Sequence, residues 1–428
     1  MTTVPTDEKA IFERRESAAR SYCRSFPVVF EKAQGAVLTG SDGRDYIDFL
    51  AGCSSLNYGH NDPDMKAALV DYIAGDGVAH GLDMHTGAKA RFLEAFERII
   101  LQPRRMDHRV MFMGPTGANA VEAALKLARK VTGRSNVIAF TNGFHGVTLG
   151  ALAATGNGYH RAGAGLPLSG VTRMPFEGAM GDLDTADLLN RMLAEPSSGI
   201  EPPAAVILET VQGEGGLNAA SREWVRRIAE IARNHGALLI VDDIQAGCGR
   251  TGHFFSFEEM GIEPDIVTMA KSLSGFGLPF AALLVKQEYD VFGPAEHNGT
   301  FRGNNHAFVT ARVALEKFWA DSTLQEVVIR RGAYLKSRLE KIAGQLPGTR
   351  LKGRGMMLGI DVGSGELAER ICARCFEDGL VIETSGAHDE VVKVLAPLTI
   401  DEETFARGLD ILERAVSEIA QSTKIAAE

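Results

Sequence analysis

The spacing of apolar positions changes character along the chain. Up to about residue 25 charged residues dominate, and the pattern predicts charged helix. Val37-Leu-Thr-Gly-Ser-Asp-Gly-Arg-Asp-Tyr-Ile-Asp-Phe49 reads as two short strands around a glycine-rich turn. Asn61-Asp-Pro-Asp64 is a helix start, with the helix expected through about Ala74. A second helix is expected over roughly Thr86 to Leu101.

From about Arg109 strands and helices alternate. Apolar, β-branched runs predict strands at Arg109–Met113, Asn136–Phe140, Ala204–Leu208, Leu238–Val241, Ile266–Met269 and Ala281–Val285. Helical spacing predicts helices over Ala118–Val131 and Ser221–His235, the second with Trp224, Val225, Ile228, Ile231 and Ala232 on one side. Continuously apolar strands between helices imply an α/β fold, a mostly parallel sheet covered on both faces. A long helix from about His306 to Trp319 and beyond leads into an α+β pattern. There, strands are expected near Met356–Val362 and Val391–Leu395, and a last helix from Glu402.

Composition narrows the function classes. The chain has 428 residues, room for two domains, and its 45% hydrophobic and 23% charged content is that of an ordinary globular protein. A formal charge of −10 argues against nucleic acid or an anionic membrane as partner. No apolar stretch reaches the roughly 18–20 residues that span a bilayer. The first residues are polar and carry acids, unlike a signal or transit peptide, so a cytoplasmic location is expected. Cys372 and Cys375 fall on one predicted helix with no second pair at finger spacing, so packing is expected of them and no metal site.

Candidate chemistry gathers just after the predicted strands, where ligands of parallel sheets bind. Gly114-Pro-Thr-Gly-Ala-Asn119 lies between a strand and a helix; Gly117 permits a tight turn and the helix start offers amides to an anion such as phosphate. Asn142-Gly-Phe-His-Gly146 follows the next strand, and Phe144 between small residues can lie flat on a planar ring, with His145 beside it. Glu209 and Glu214 share the glycine-rich loop after the following strand. Asp242 and Asp243 end another; a buried acid needs a partner, and a protonated pyridine nitrogen is one. Side chains alternate along a strand, so only one of the two acids faces the ring. Lys271 ends the run Asp265-Ile-Val-Thr-Met-Ala-Lys271 and is followed by small, flexible residues, which presents an amine to a pocket. Thr300 in the loop before the His306 helix is a further phosphate contact. Phosphate turn, stacking aromatic, acid and lysine, in that order, fit a pyridoxal phosphate enzyme.

On these residues the chain resembles the class III, or ω-type, aminotransferases of the fold type I pyridoxal phosphate superfamily, over about residues 10 to 420. The resemblance implies a large domain with a mostly parallel sheet, here residues 61–324, and a smaller α+β domain built from both termini, residues 1–60 and 325–428. It implies a homodimer, or a dimer of dimers, with active sites at the subunit interface. By resemblance Gly117 and Ala118 match the phosphate turn, Phe144 the stacking aromatic, Asp242 the pyridine partner and Lys271 the Schiff-base lysine. Gln245 matches a residue near the cofactor's phenolic oxygen, Glu214 the acid of the Gly-Glu-Gly loop, and Thr300 a threonine reaching the neighbouring subunit's phosphate.

Within the class the chain is most similar to the branch that makes 2,4-diaminobutyrate from aspartate 4-semialdehyde with glutamate as donor, the ectoine type. This rests on Ser21-Tyr-Cys-Arg-Ser-Phe26, Leu56-Asn-Tyr-Gly-His-Asn61, Gly81-Leu-Asp-Met84 and Ile382-Glu-Thr-Ser-Gly386. Where class members using 4-aminobutyrate or ornithine carry arginine, this chain has Val147 and Lys393. Lysine makes a point contact instead of a bidentate fork. Lys393, Arg302, Arg20 and Arg24 are the candidates for holding substrate carboxylates, with Glu209, Glu214 and His145 also facing substrate. An ornithine or 4-aminobutyrate enzyme, or an aminomutase that needs no 2-oxoglutarate, is the alternative.

Overall fold

The computed structural model describes residues 9–427. Seven strands form the central sheet, in the spatial order Arg109–Phe112, Ala282–Val285, Ile266–Met269, Leu238–Asp242, Pro203–Leu208, Asn136–Phe140 and Val171–Met174. Ala282–Val285 alone is reversed, antiparallel to both its neighbours. The connection that leads to it holds only a short 3-10 turn, Lys271–Ser274. That is too little for the helical crossover a parallel return needs.

Why these segments are strands follows from their two covered faces. Pro203–Leu208 and Leu238–Asp242 are buried at every position. Alternate residues pack to opposite sides: Val206, Leu208, Leu239 and Val241 join a core with Trp224, Val225 and Ile228 of helix Arg222–Asn234. Ala205, Ile207, Leu238 and Ile240 join another with Ala120, Val121 and Leu125 of helix Gly117–Thr132. Each fully buried Val, Leu or Ile contributes about 1.5–3 kcal/mol of transfer free energy. An Ile207→Asp change would set an unpaired charge in this layer.

The two ends of the chain meet. Phe30–Gln34, Val37–Gly40 and Asp45–Asp48 form a sheet completed by Leu380–Val381, which pairs parallel to Asp45–Asp48. A second sheet holds Arg350–Arg354, Met357–Asp361, Val391–Val394 and Glu383–Ser385. Arg250 ties these regions together from a fully buried position. Its guanidinium donates to Ser54 Oγ at 3.0 Å and to the carbonyls of Ala396 at 2.6 Å and Met356 at 3.3 Å. Burial lowers its pKa to about 9.

The loop after Asp48 is unusual. Ala51, Gly52, Cys53 and Ser54 all have positive φ, between 47° and 70°. Three of them carry a Cβ, which costs roughly 1–2 kcal/mol each in this region. The surroundings hold the turn in place: Asp48 Oδ1 accepts the amides of Leu50 and Ala51 at 2.8 Å, and Ser272 Oγ donates to Ser54 O at 2.7 Å. The turn thereby fixes the residue after Lys271 to the N-terminal loop.

Some elements differ from the sequence expectation. The helix expected to run on past Trp319 ends at Phe318, and a new one, Thr323–Ala343, begins after a break. Trp319 is held in the core by its Nε1, which donates to Tyr58 OH at 2.8 Å, so the chain turns there. The charged N-terminal helix is reduced to Ala10–Arg15 and Tyr22–Ser25, and residues 1–8 lie outside the described residues. Phe30–Gln34 and the edge strand Val171–Met174 are additional. Among the described residues no helix is long and apolar enough to cross a membrane, and no cluster of three or more His, Cys, Asp or Glu could hold a metal.

Candidate active site

A cavity of about 520 Å³ opens beyond the carboxyl ends of the strands, within the size range of small-molecule sites. Gly117, Ala118, Phe144, His145, Glu209, Glu214, Asp242, Gln245 and Lys271 all line it. The sequence places these residues on five separate connections; the parallel sheet brings them to one end.

One wall is the start of helix Gly117–Thr132. Thr116 caps it, Oγ1 accepting the Asn119 amide at 3.3 Å, and no acid occupies the first turn. The first amides have no partner within the helix, and the dipole's positive end faces the cavity, which suits an anion. A Cβ on Gly117 would lie 2.9 Å from Ile244 Cδ1, and one on Gly146, whose φ is 121°, would lie 2.7 Å from Ala118 Cβ. Gly146 is therefore needed for the close approach of the turns that frame this end, whereas at Gly117 the flexible end of Ile244 can give way.

Phe144 forms a second wall. Its turn is fixed by Glu209, whose Oε2 accepts the Phe144 amide at 2.9 Å while Oε1 accepts the Gly213 amide at 3.2 Å. Burial raises the Glu209 pKa to about 7. Next to it, His145 Nδ1 lies 2.7 Å from Asp242 Oδ2, both side chains buried. Asp242 Oδ1 accepts from Thr268 Oγ1 at 2.9 Å and from the Ile244 amide at 3.3 Å. Burial disfavours the His145 imidazolium, yet the Asp242 carboxylate outweighs it and raises the pKa.

Asp243 faces away from the cavity and sits against the Ser256 amide at 3.2 Å. Burial raises its pKa to about 7. The alternation along the strand thus separates the two acids, and Asp242 is the one at the cavity.

Lys271 begins the 3-10 turn Lys271–Ser274 with φ 48°, a conformation rare for a lysine. Its strand, Ile266–Met269, lies beside Leu238–Asp242, with Asp242 paired in register to Thr268. Gln245 Nε2 donates to Glu214 Oε1 at 3.0 Å and to Cys53 O at 3.3 Å, and its Oε1 is buried without a partner. Burial works against the Glu214 carboxylate, but Lys393 and Lys271 lower its pKa to about 2.

Four expected carboxylate holders lie elsewhere. Lys393 is fully buried, and its Nζ is clamped between Glu214 Oε1 at 3.0 Å and Glu383 Oε1 at 2.9 Å. It does not itself line the cavity, and meets it through Glu214, which does. Arg302 bonds to Asn298 Oδ1 at 3.2 Å in its own loop and does not line the cavity. Arg20 pairs with Glu16 at 3.2 Å, and Arg24 donates to the carbonyls of Arg20 and Ala18. Thr300 is exposed and also outside the cavity. Val147, at the rim, is 56% exposed.

Three residues were not anticipated. Glu383 stands directly opposite Lys393 on paired strands. Cys53 Sγ lies 3.9 Å from Glu383 Oε2, and Tyr22 OH lies 2.7 Å from Cys53 Sγ. Nothing in the spacing of residues 22, 53 and 383 joins them before the sheets are assembled.

Comparisons with known proteins agree with this architecture. The family model for aminotransferase class-III matches residues 18–416. A diaminobutyrate–2-oxoglutarate transaminase of Vibrio parahaemolyticus is 57% identical over 412 residues, 96% of this chain and 98% of the relative. Another of the same name, from Halomonas elongata, is 55% identical over 414 residues, 95% of this chain and 98% of the relative. Among solved structures, an ornithine aminotransferase from Toxoplasma gondii, described with partial occupancy of PLP at its active site, superposes with a TM-score of 0.85 at 27% identity, covering 99% of this chain and 97% of that one.

Proposed function

The chain belongs to the class III aminotransferases, and from that premise we propose that it transfers the amino group of L-glutamate to L-aspartate 4-semialdehyde, yielding L-2,4-diaminobutyrate and 2-oxoglutarate. The names of relatives at 55% identity and above support this choice of substrates. The observation that carries the chemistry is the pair Asp242 and Lys271, set at the ends of neighbouring parallel strands and facing one cavity.

The cofactor we propose is pyridoxal 5'-phosphate. The residues present fit it: an acid-free helix start for the phosphate, an aromatic wall for the ring, a buried carboxylate for the ring nitrogen, an amine for the aldehyde and an unpartnered amide oxygen at Gln245. When bound, this cofactor supplies an aldehyde that condenses with amines and a protonated pyridine ring that draws electrons from the substrate carbon. Asp242 holds the proton on the ring nitrogen, and His145 holds Asp242. Lys271 would be the amine that holds the cofactor, and as a free amine it would take the proton from the substrate carbon bearing the amine and return it in the opposite half-reaction. Phe144 and Glu209 keep the ring's wall in place. The glutamate half and the semialdehyde half follow one another at the same cavity.

We also propose that two copies assemble with Thr300 serving the partner's cavity. An exposed apolar patch supports this: Phe301 is 65% exposed, its ring lies 5.0 Å from that of His80, and Val78, Leu82 and Met84 are exposed nearby in sequence. A second copy is what such a patch next to an unoccupied-by-function threonine calls for.

Borohydride reduction of the pyridoxal phosphate-loaded protein, followed by peptide mass analysis, tests the anchor. A single mass increment on the peptide containing Lys271 is expected. A label on another lysine would overturn the assignment.

A further inference from the structure

Lys393 is held by two carboxylates where one would neutralise it. Its Nζ lies 3.0 Å from Glu214 Oε1 and 2.9 Å from Glu383 Oε1, and its side chain is fully buried. Glu383 is fixed opposite it by strand pairing, Glu383 and Lys393 being Cα partners. One ammonium faces two acids here: burial pushes the Glu383 pKa up, whereas Lys393 and Lys271 hold the Glu214 carboxyl low, so the charge that persists is on Glu214. Besides Lys393, Lys271 also acts electrostatically on both acids, and the proposed cofactor engages it.

The Glu214 charge is presented to the cavity. Glu214 Oε1 is taken by Lys393 and by Gln245 Nε2, while its Oε2 has no partner among the described residues and Glu214 lines the cavity. Gln245 lines the same cavity, and its Oε1 is buried with no donor. With Gln245 Oε1 given to the cofactor above, Glu214 Oε2 is the charged acceptor at the cavity left without a donor. Cys53 Sγ lies 3.9 Å from Glu383 Oε2 and 2.7 Å from Tyr22 OH.

We infer that Glu214, kept charged and in position by the Lys393–Glu383 pair, receives an ammonium group that the substrate carries away from its reacting carbon. The inference rests on the reading above and names what that site selects. In 2,4-diaminobutyrate the amine at C4 reacts and C2 bears such an ammonium. 4-Aminobutyrate has the same length, the same reacting amine and the same carboxylate, but nothing on C2. Glu214 is then a specificity residue, and Lys393 and Glu383 are positioning residues. A substrate carboxylate is not drawn to Lys393, because Glu383 keeps it neutralised.

The test compares kcat/KM for these two amines, with 2-oxoglutarate as acceptor, in the loaded wild type and in Glu214→Gln, Glu383→Gln and Glu383→Asp. A hydrogen bond to a charged group is worth about tenfold to a hundredfold in affinity. Glu214→Gln should lower the ratio of diaminobutyrate to aminobutyrate by about tenfold or more, chiefly in KM. Glu383→Gln should lower it in the same direction, and Glu383→Asp, which keeps the charge, should restore it. A ratio unmoved in both glutamine variants overturns the inference. A second measurement needs no variant: 4-amino-2-hydroxybutyrate, with a neutral hydroxyl in place of the C2 ammonium, should react at least about tenfold less efficiently with the wild type. Parity overturns the inference. If the wild type deaminates none of the three amines, the proposed function itself fails, and the inference with it.

Discussion

His145 Nδ1 lies 2.7 Å from Asp242 Oδ2, with both groups buried at the base of the cavity. The contact aims one carboxylate at the place where a ring nitrogen would sit. Asp242→Asn removes the charge while keeping the shape, and should lower kcat about a hundredfold to a thousandfold, the scale of losing one preorganised electrostatic partner. His145→Phe leaves the carboxylate in place but loosely held, and should cost less, about tenfold, together with weaker retention of pyridoxal phosphate on dialysis. Steady-state kinetics and cofactor content check both.

Asp243, one residue on, should behave in the opposite way. Burial raises its pKa from 3.8 to about 7. A raised folded pKa means that the folded protein holds a proton which the unfolded chain has already released. The stability from this group is full below about pH 4 and is lost as pH rises toward 7. Asp243→Asn removes that loss. The variant should therefore gain in Tm relative to wild type between pH 4.5 and pH 8, by about 2 °C or more, with little change in kcat. Parallel thermal melts at the two pH values check it.

Gly146 has φ 121°, and a Cβ there would lie 2.7 Å from Ala118 Cβ in the first turn of the helix that faces the proposed phosphate. Gly146→Ala must shift one turn against the other. Retention of pyridoxal phosphate should fall by about tenfold, the cost of roughly 1.4 kcal/mol of backbone and contact strain. Fluorescence titration of the apo-protein with the cofactor measures it.

Lys393 is buried between two acids, so its removal strands both. Lys393→Met should destabilise the protein by about 3–5 kcal/mol, because breaking a buried pair leaves uncompensated charge. Replacing the acids as well, in a Glu214→Gln, Glu383→Gln, Lys393→Met triple variant, should recover much of that loss. Chemical denaturation of the three proteins checks the order.

Much of the scaffold was legible in the sequence. Asn136–Phe140 and Ile266–Met269 are strands at their expected bounds, because strands covered on both faces are written as unbroken apolar runs. Residues at strand ends, such as Phe144, Asp242 and Lys271, could be placed at one cavity because a parallel sheet gathers its carboxyl ends on one side. The break after Phe318 was not legible, since Trp319 looks like one more apolar helix position until Tyr58 and Phe254 hold it. The environment of Lys393 was not legible either. Its expected freedom depended on Glu383 and Glu214, and only strand pairing brings an acid from residue 383 opposite it.

The transfer itself is tested most directly with [15N]glutamate amine and aspartate 4-semialdehyde as the only substrates of the loaded protein, the products being read by mass. The label should appear on C4 of 2,4-diaminobutyrate, with one 2-oxoglutarate formed for each labelled molecule. Diaminobutyrate without the label, product formed without 2-oxoglutarate, or no transfer to the semialdehyde would contradict the account.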